Sequence, residues 1–271
     1  MPELPEVETT RRGIAPHIEG QQVTQVIVRQ GKLRWPVSPE ITTQLPGQIV
    51  NNVKRRAKYL LIETEIGTLI IHLGMSGSLR VIDPSIAAEK HEHIDIIFNN
   101  GLCLRYKDPR RFGSFLWSSL PIHQHKLIQH LGPEPLSDAF DIDDFYAKAK
   151  NKKTPIKSFI MDGQVVVGVG NIYASEALFR SGIHPKRAAS NISRARLNNL
   201  LSAIKVILAQ AIEQGGTTLK DFVNSEGKPG YFQQTLNVYG RSKQACTSCE
   251  TPIKQVVIAQ RSTFYCPHCQ H

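Results

Sequence analysis

No apolar run in this 271-residue chain reaches the roughly 18–20 residues that a bilayer-spanning helix requires. Cysteine is scarce too. There are five, and four of them lie beyond residue 245, so the chain lacks the evenly spread cysteines of a secreted disulfide framework. The first residues, MPELPEVETT, have neither the basic start nor the apolar stretch of a secretory signal peptide. A soluble intracellular protein is expected. Acidic residues thin out along the chain. Residues 1–150 hold 18 Lys or Arg against 17 Asp or Glu, whereas residues 151–271 hold 15 against 6. The net charge of +10 therefore sits almost wholly in the second half, which points to a polyanion partner there. A basic surface that is merely solvated is the plain alternative. Apolar residues make up 41%, enough for a buried core, so disorder is excluded and the length suggests about two domains.

The four late cysteines form two C-x2-C pairs, Cys246/Cys249 and Cys266/Cys269, with 16 residues between them. Two close pairs joined by a hairpin-length segment can put four thiolates at the corners of a tetrahedron, the geometry of one structural Zn2+. PIKQVVIAQRSTFY between the pairs reads as two strands around a turn near Ala259–Ser262. A redox-active dithiol would need a strand–helix setting that is missing here. Cys103, in LCLRY, reads as a strand thiol and not a ligand.

Residues 20–118 read as β, with strands at 23–28, 59–64, 68–73, 94–98, 102–106 and 114–117 separated by turn formers. A helix over 5–18 precedes them. The proline-rich LGPEPLSDAFD is expected to link this part to a helical one, with apolar residues at i, i+3 and i+4 over 142–150, 155–162, 171–181 and 193–213. Ser193 is a plausible N-cap for the longest helix, and Gly215–Gly216 its stop. The polar, glycine-bearing stretch 217–238 reads as a mobile loop.

PELPE at the start, LGMSGSL (73–79), KDPRRFG (107–113), VGVGNIYASEALF (167–179), QGGTTLKDF (214–222), GYFQ and VYGR (230–241) and the cysteine hairpin occur in one order along the chain. Together they resemble the bacterial formamidopyrimidine-DNA glycosylases. The resemblance implies an α+β multidomain protein with a catalytic β-sandwich domain at 1–131 and a linker at 132–140. A helical DNA-binding domain with a helix–two-turns–helix would follow at 141–236, then a zinc hairpin at 237–271. It implies a monomeric, cytoplasmic, nucleoid-associated repair enzyme acting on double-stranded DNA with oxidised purines or abasic sites. Such enzymes excise 8-oxoguanine and formamidopyrimidines and then nick the strand by β,δ-elimination.

The residues bear this chemistry. The nucleophile implied is the amine of Pro2, exposed once Met1 is removed. At neutral pH an α-amino group is about one-tenth unprotonated, against less than about one part in a thousand for a lysine. Its attack at sugar C1′ gives an iminium that serves as an electron sink. Glu3 is implied as the acid/base, Lys58 as the lysine of β-elimination and Arg261 as the phosphate clamp assisting δ-elimination. Met75, Arg110 and Phe112 match a triad that fills the hole left by the flipped nucleotide. Arg110, which has only donors, pairs with the acceptors of the orphaned cytosine. Gly168 and Gly170 bring backbone close to DNA so that Asn171 at a helix start grips phosphate. His72, His91, Lys152 and Lys157 are implied phosphate contacts, although Lys152 lies in a run with Lys150 and Lys153, and such a run is usually just a solvated face. Two other readings stay open: an endonuclease VIII-type enzyme for oxidised pyrimidines, and a non-catalytic zinc-ribbon nucleic-acid binder. The second explains the charge and cysteines but not Pro2–Glu3.

Overall fold

The computed structural model describes residues 2–216 and 236–271; all but the last three positions of the expected 217–238 loop lie outside the described residues. The described residues divide into two compact units, 2–129 with 214–216, and 130–213 with 236–271.

The first unit opens with α1 (Leu4–Ile18), followed by β1 (Val23–Val28) and a short α2 (Glu40–Thr43). Strands β2 (Asn52–Arg56), β3 (Tyr59–Glu63), β4 (Thr68–His72), β5 (Ser78–Ile82), β6 (Glu92–Phe98), β7 (Cys103–Lys107) and β8 (Ser114–Ser118) complete it. They form two antiparallel sheets, ordered β1-β6-β7-β5 and β2-β3-β4-β8. Alternate residues from both sheets, Leu60 and Ile62, Leu69 and Ile71, Ile94 and Ile96, Leu104 and Tyr106, meet in one core. The helix α1 adds Val7, Ile14 and Ile18 to it. This is the expected sandwich flanked by helices, built on the period of two that puts one strand face inward. Two strands have no counterpart in the sequence reading. NVKRR shows one apolar residue, Val53, and its partner strand supplies the order; SLRVI is masked by the glycines before it. Cys103 is buried in β7, the strand thiol expected, and burial pushes its pKa up to about 12.

The second unit contains α3 (Ile142–Ala149), α4 (Ile156–Ile160), α5 (Asn171–Arg180), α6 (Arg194–Glu213) and the hairpin β9 (Lys254–Ile258) with β10 (Arg261–Tyr265). The carboxylate of Asp141 caps α3 by accepting from the amides of Asp143 and Asp144. Ser193 Oγ accepts from the Arg196 amide at the start of α6, at 3.4 Å. The long α6 packs on α3 and α5, and α5 on β10. Among the described residues no helix is long and apolar enough to cross a membrane.

Candidate active site and nucleic-acid interface

Pro2 and Glu3 stand at the start of α1, with Glu3 as its N-cap in extended conformation. Pro5 lies in the first turn, where its missing N–H goes unneeded. The Glu3 backbone N–H donates to Glu6 Oε2 at 2.8 Å, so the first turn is tied back on itself. Pro2 and both carboxyl side chains are buried. Lys58 is half-buried on the two-residue turn that joins β2 to β3.

His72 ends β4. Burial, followed by the nearby charges of Lys58 and Arg34, lowers its pKa to about 4, with Asp108 pulling weakly the other way. The ring is therefore neutral at physiological pH. Its Nδ1 accepts from the Gly74 amide at 3.0 Å, which leaves the proton on Nε2 as a donor. An uncharged donor is compatible with the expected phosphate contact.

Met75, Arg110 and Phe112 protrude together, all three exposed, from the β4–β5 and β7–β8 loops. The reason is Asp108, fully buried between those loops. Its carboxylate accepts from Ser76 Oγ at 2.7 Å, the Tyr106 hydroxyl at 2.9 Å, and the amides of Arg110 and Gly113 at 3.2 and 2.9 Å. Burial and the Asp108 charge raise the Tyr106 pKa, so the phenol keeps the proton it donates. The Asp108 amide donates to the His91 carbonyl at 3.0 Å, and its carbonyl accepts from His93 Nε2 at 2.8 Å. His91, with φ of 72°, is thus tied to the same centre. The loops touch backbone to backbone: a Cβ on Gly74 would lie 2.4 Å from the Gly113 nitrogen, and one on Gly113 would lie 1.8 Å from the Tyr106 hydroxyl. Glycine is obligatory at both. Arg110 also lies 5.0 Å from the Phe112 ring centre, a cation–π contact that holds the pair side by side.

In the second unit Gly170 caps α5 and Asn171 is its first residue. Lys157 is only 1% exposed. Its ammonium donates to Asn171 Oδ1 at 2.5 Å, Thr263 Oγ1 at 2.8 Å and the Ser262 carbonyl at 3.3 Å. Asn171 Nδ2 donates to the same carbonyl at 3.0 Å. Lys157 therefore faces protein acceptors and clamps α5 to the cysteine hairpin. Arg261 is exposed at the hairpin turn, where Ala259 and Gln260 both have positive φ, 46° and 62°. It borders a cleft of 230 Å³ that is also lined by Lys157, Met161 and Asp162. Lys152 is exposed, away from these bonds.

The sulfur atoms of Cys246, Cys249, Cys266 and Cys269 all lie within 4.8 Å of one another. Three of the separations are 3.4, 3.4 and 3.9 Å. Zn–S bonds of about 2.3 Å set tetrahedrally require edges near 3.8 Å, so the cage fits one Zn2+. The amides of Ser248 and Cys269 point at the Cys246 and Cys266 sulfurs, which offsets thiolate charge. All four ligands are protein, and the metal's part is structural. Chelation, or Cys249→Ser, is expected to abolish specific DNA binding while the strand signal in circular dichroism persists. Full binding by rigorously metal-free protein would contradict this, because Arg261 and the acceptors of Lys157 ride on the hairpin.

Sequence reasoning missed Asp108, Ser76 and Tyr106, and also Glu176 in α5. The Glu176 carboxylate accepts from the amides of Asn237, Val238 and Tyr239. Only the Asp–Pro pair at 108–109, a turn former, hinted at the first.

Comparison with known proteins covers the whole chain. Residues 1–115 match the formamidopyrimidine-DNA glycosylase N-terminal domain, residues 131–223 its H2TH domain, and residues 243–271 the zinc finger found in FPG and IleRS. A formamidopyrimidine-DNA glycosylase of Pseudomonas syringae pv. tomato is 60% identical over 270 residues, covering 100% of both chains. A Lactococcus lactis Fpg solved with DNA containing an abasic site superposes with a TM-score of 0.92 at 32% identity, covering 100% of both chains. A MutM solved with DNA containing carbocyclic 8-oxo-G does so with a TM-score of 0.92 at 33% identity, again covering 100% of both. With both halves and the cysteine hairpin matched in order, the chain belongs to the formamidopyrimidine-DNA glycosylase family.

Proposed function

We propose that this chain is a bifunctional DNA glycosylase and abasic-site lyase of base excision repair, excising oxidised purines and then nicking the strand. The observation that carries this reading is the placement of Pro2 and Glu3 at the buried start of α1, in a chain that matches the family from end to end. The positive end of the α1 dipole disfavours an ammonium there and favours the amine. The Pro2 nitrogen bonds to C1′ as the C1′–base bond breaks. The base leaves with the bond electrons and a proton, and Glu3 supplies a proton in that step. The nitrogen, having lost its proton, then forms a double bond to C1′ as the C1′–O4′ bond breaks and the ring oxygen takes a proton, which leaves the iminium. The iminium draws electrons from C2′ as the C2′ proton is lost and the 3′ C–O bond breaks, with Lys58 managing protons in this elimination. A second elimination releases the 5′ phosphate, assisted by Arg261. His72, His91, Asn171 and Lys152 hold the backbone; Lys157 acts on it through Asn171. Its place of work is the nucleoid DNA of a bacterial cytoplasm, as its curated relatives are bacterial.

Duplexes carrying one 8-oxoguanine or one oxidised pyrimidine separate the readings. Nicking of the purine duplex is expected. Preferred nicking of the pyrimidine duplex would favour the endonuclease VIII reading, and binding without nicking the zinc-ribbon reading. Arg110→Ala is expected to flatten the preference for cytosine over adenine opposite the lesion, removing about 1–3 kcal/mol of discrimination. An unchanged preference would remove Arg110 from that role.

A further inference from the structure

The turn presenting Lys58 is strained. Arg56 pairs with Tyr59, leaving Ala57 and Lys58 as the loop, and Ala57 adopts a φ of 54° that an L-residue other than glycine rarely takes. Something must hold it there. The Arg55 guanidinium sits beneath, its Nη1 donating to the Ala57 carbonyl at 3.0 Å and its Nε to Glu8 Oε2 at 3.1 Å. Both side chains of that ion pair are about nine-tenths buried, 12% and 11% exposed, so the pair is screened little by solvent. Glu8 belongs to α1, five residues after Glu3. It also receives Arg11 and Arg12 at 2.8 and 3.0 Å. These contacts lower its pKa against the opposing effect of burial, which keeps the carboxylate charged. At the C-cap of α1, Glu19 Oε1 accepts from the Val53 amide at 2.7 Å, and within the helix Arg11 donates to the Val53 carbonyl at 3.3 Å. The helix that follows Pro2 and Glu3 is therefore stitched to the strand that leads into the Lys58 turn.

We propose that Arg55, clamped by Glu8, is a positioning residue that sets the place of Lys58 relative to the Pro2 amine. This rests on the reading of Lys58 as a participant in elimination. Neither residue touches DNA in this role. Its effect is on geometry: one guanidinium joins the helix, the ion pair and the strained carbonyl, so losing it frees the turn to relax. An arginine serves better than a lysine, whose ammonium cannot bond the carboxylate and the carbonyl through separate atoms of one rigid plane.

The test is single-turnover nicking of a duplex with a preformed abasic site, with binding measured separately. Arg55→Gln is expected to slow nicking at least tenfold while Kd changes less than threefold, and Arg55→Lys to recover part of the loss. In a Lys58→Ala background the same Arg55→Gln change is expected to add less than twofold, since the group it positions is gone. Glu8→Gln keeps the shape and should give a smaller loss of the same kind, which serves as the readout if Arg55→Gln folds poorly. Unchanged nicking by Arg55→Gln, or a full additive loss on top of Lys58→Ala, would overturn the inference and leave the Lys58 reading standing. Normal nicking by Lys58→Ala alone would overturn the Lys58 reading, and with it this one.

Discussion

Protein that retains Met1 is expected to nick no 8-oxoguanine duplex and to form no borohydride-trapped adduct. With Met1 in place the Pro2 nitrogen is a tertiary amide, and its lone pair is delocalised into the carbonyl. It cannot attack C1′, so no iminium forms for borohydride to reduce. Binding is a separate matter, because the proposed DNA contacts of His72, Arg110 and Asn171 are untouched. Intact mass spectrometry of each preparation, paired with trapping, checks the outcome. Robust nicking by protein shown to keep Met1 would refute the proline mechanism. The alternative nucleophile, a lysine, would start from a far smaller neutral fraction.

Glu3→Gln is expected to dissect the two activities. The amide keeps the size of the side chain and its place at the N-cap of α1, but it has no proton to give as the base departs. Excision of 8-oxoguanine should fall by about 10²–10⁴-fold, as acid/base groups contribute. On a preformed abasic site the glycosidic bond is already broken, and the Pro2 amine is intact, so appreciable nicking should remain. The ratio of the two rates in one preparation is the measurement, which cancels differences in active fraction. Equal losses on both substrates would mean that Glu3 serves the amine and not the departing base.

How much of this was legible in the residues varied with the kind of constraint. The cysteine cage was plain, because four ligands to one ion demand a spacing that few other features produce. The sandwich followed from alternation, as in Leu60–Ile62 against Leu69–Ile71. Strand β2 did not, since NVKRR is charged and gains its order from the hydrogen bonds of β3. Glu8 and Arg55 are 47 residues apart in sequence, and only the i, i+3 and i, i+4 pairs of Glu8 with Arg11 and Arg12 were readable locally. Asp108 is the sharpest case. Four donors, from the β4–β5 loop, from β7 and from the loop after it, converge on its carboxylate, yet alone it looks like any aspartate before a proline. Lys157 shows the converse: a lysine reads as a surface cation until its burial against Asn171 and Thr263 is known.

The bonds that gather at Asp108 bear on how the protein searches. On the proposed reading of Met75, Arg110 and Phe112 as the residues that enter a base stack, they project from loops already fixed, so entry orders little backbone on the protein side. The probing stroke then carries the same entropic term at every base pair along the contour. What differs from step to step is the resistance of the duplex, which is lowest where a pair is already weakened. A stiff probe of this kind would report the local stability of the DNA it enters. A floppy one would blur that signal with its own fluctuations. Loosening the loops, for instance by Asp108→Asn, should therefore slow the finding of a lesion in long DNA more than its processing in a short duplex.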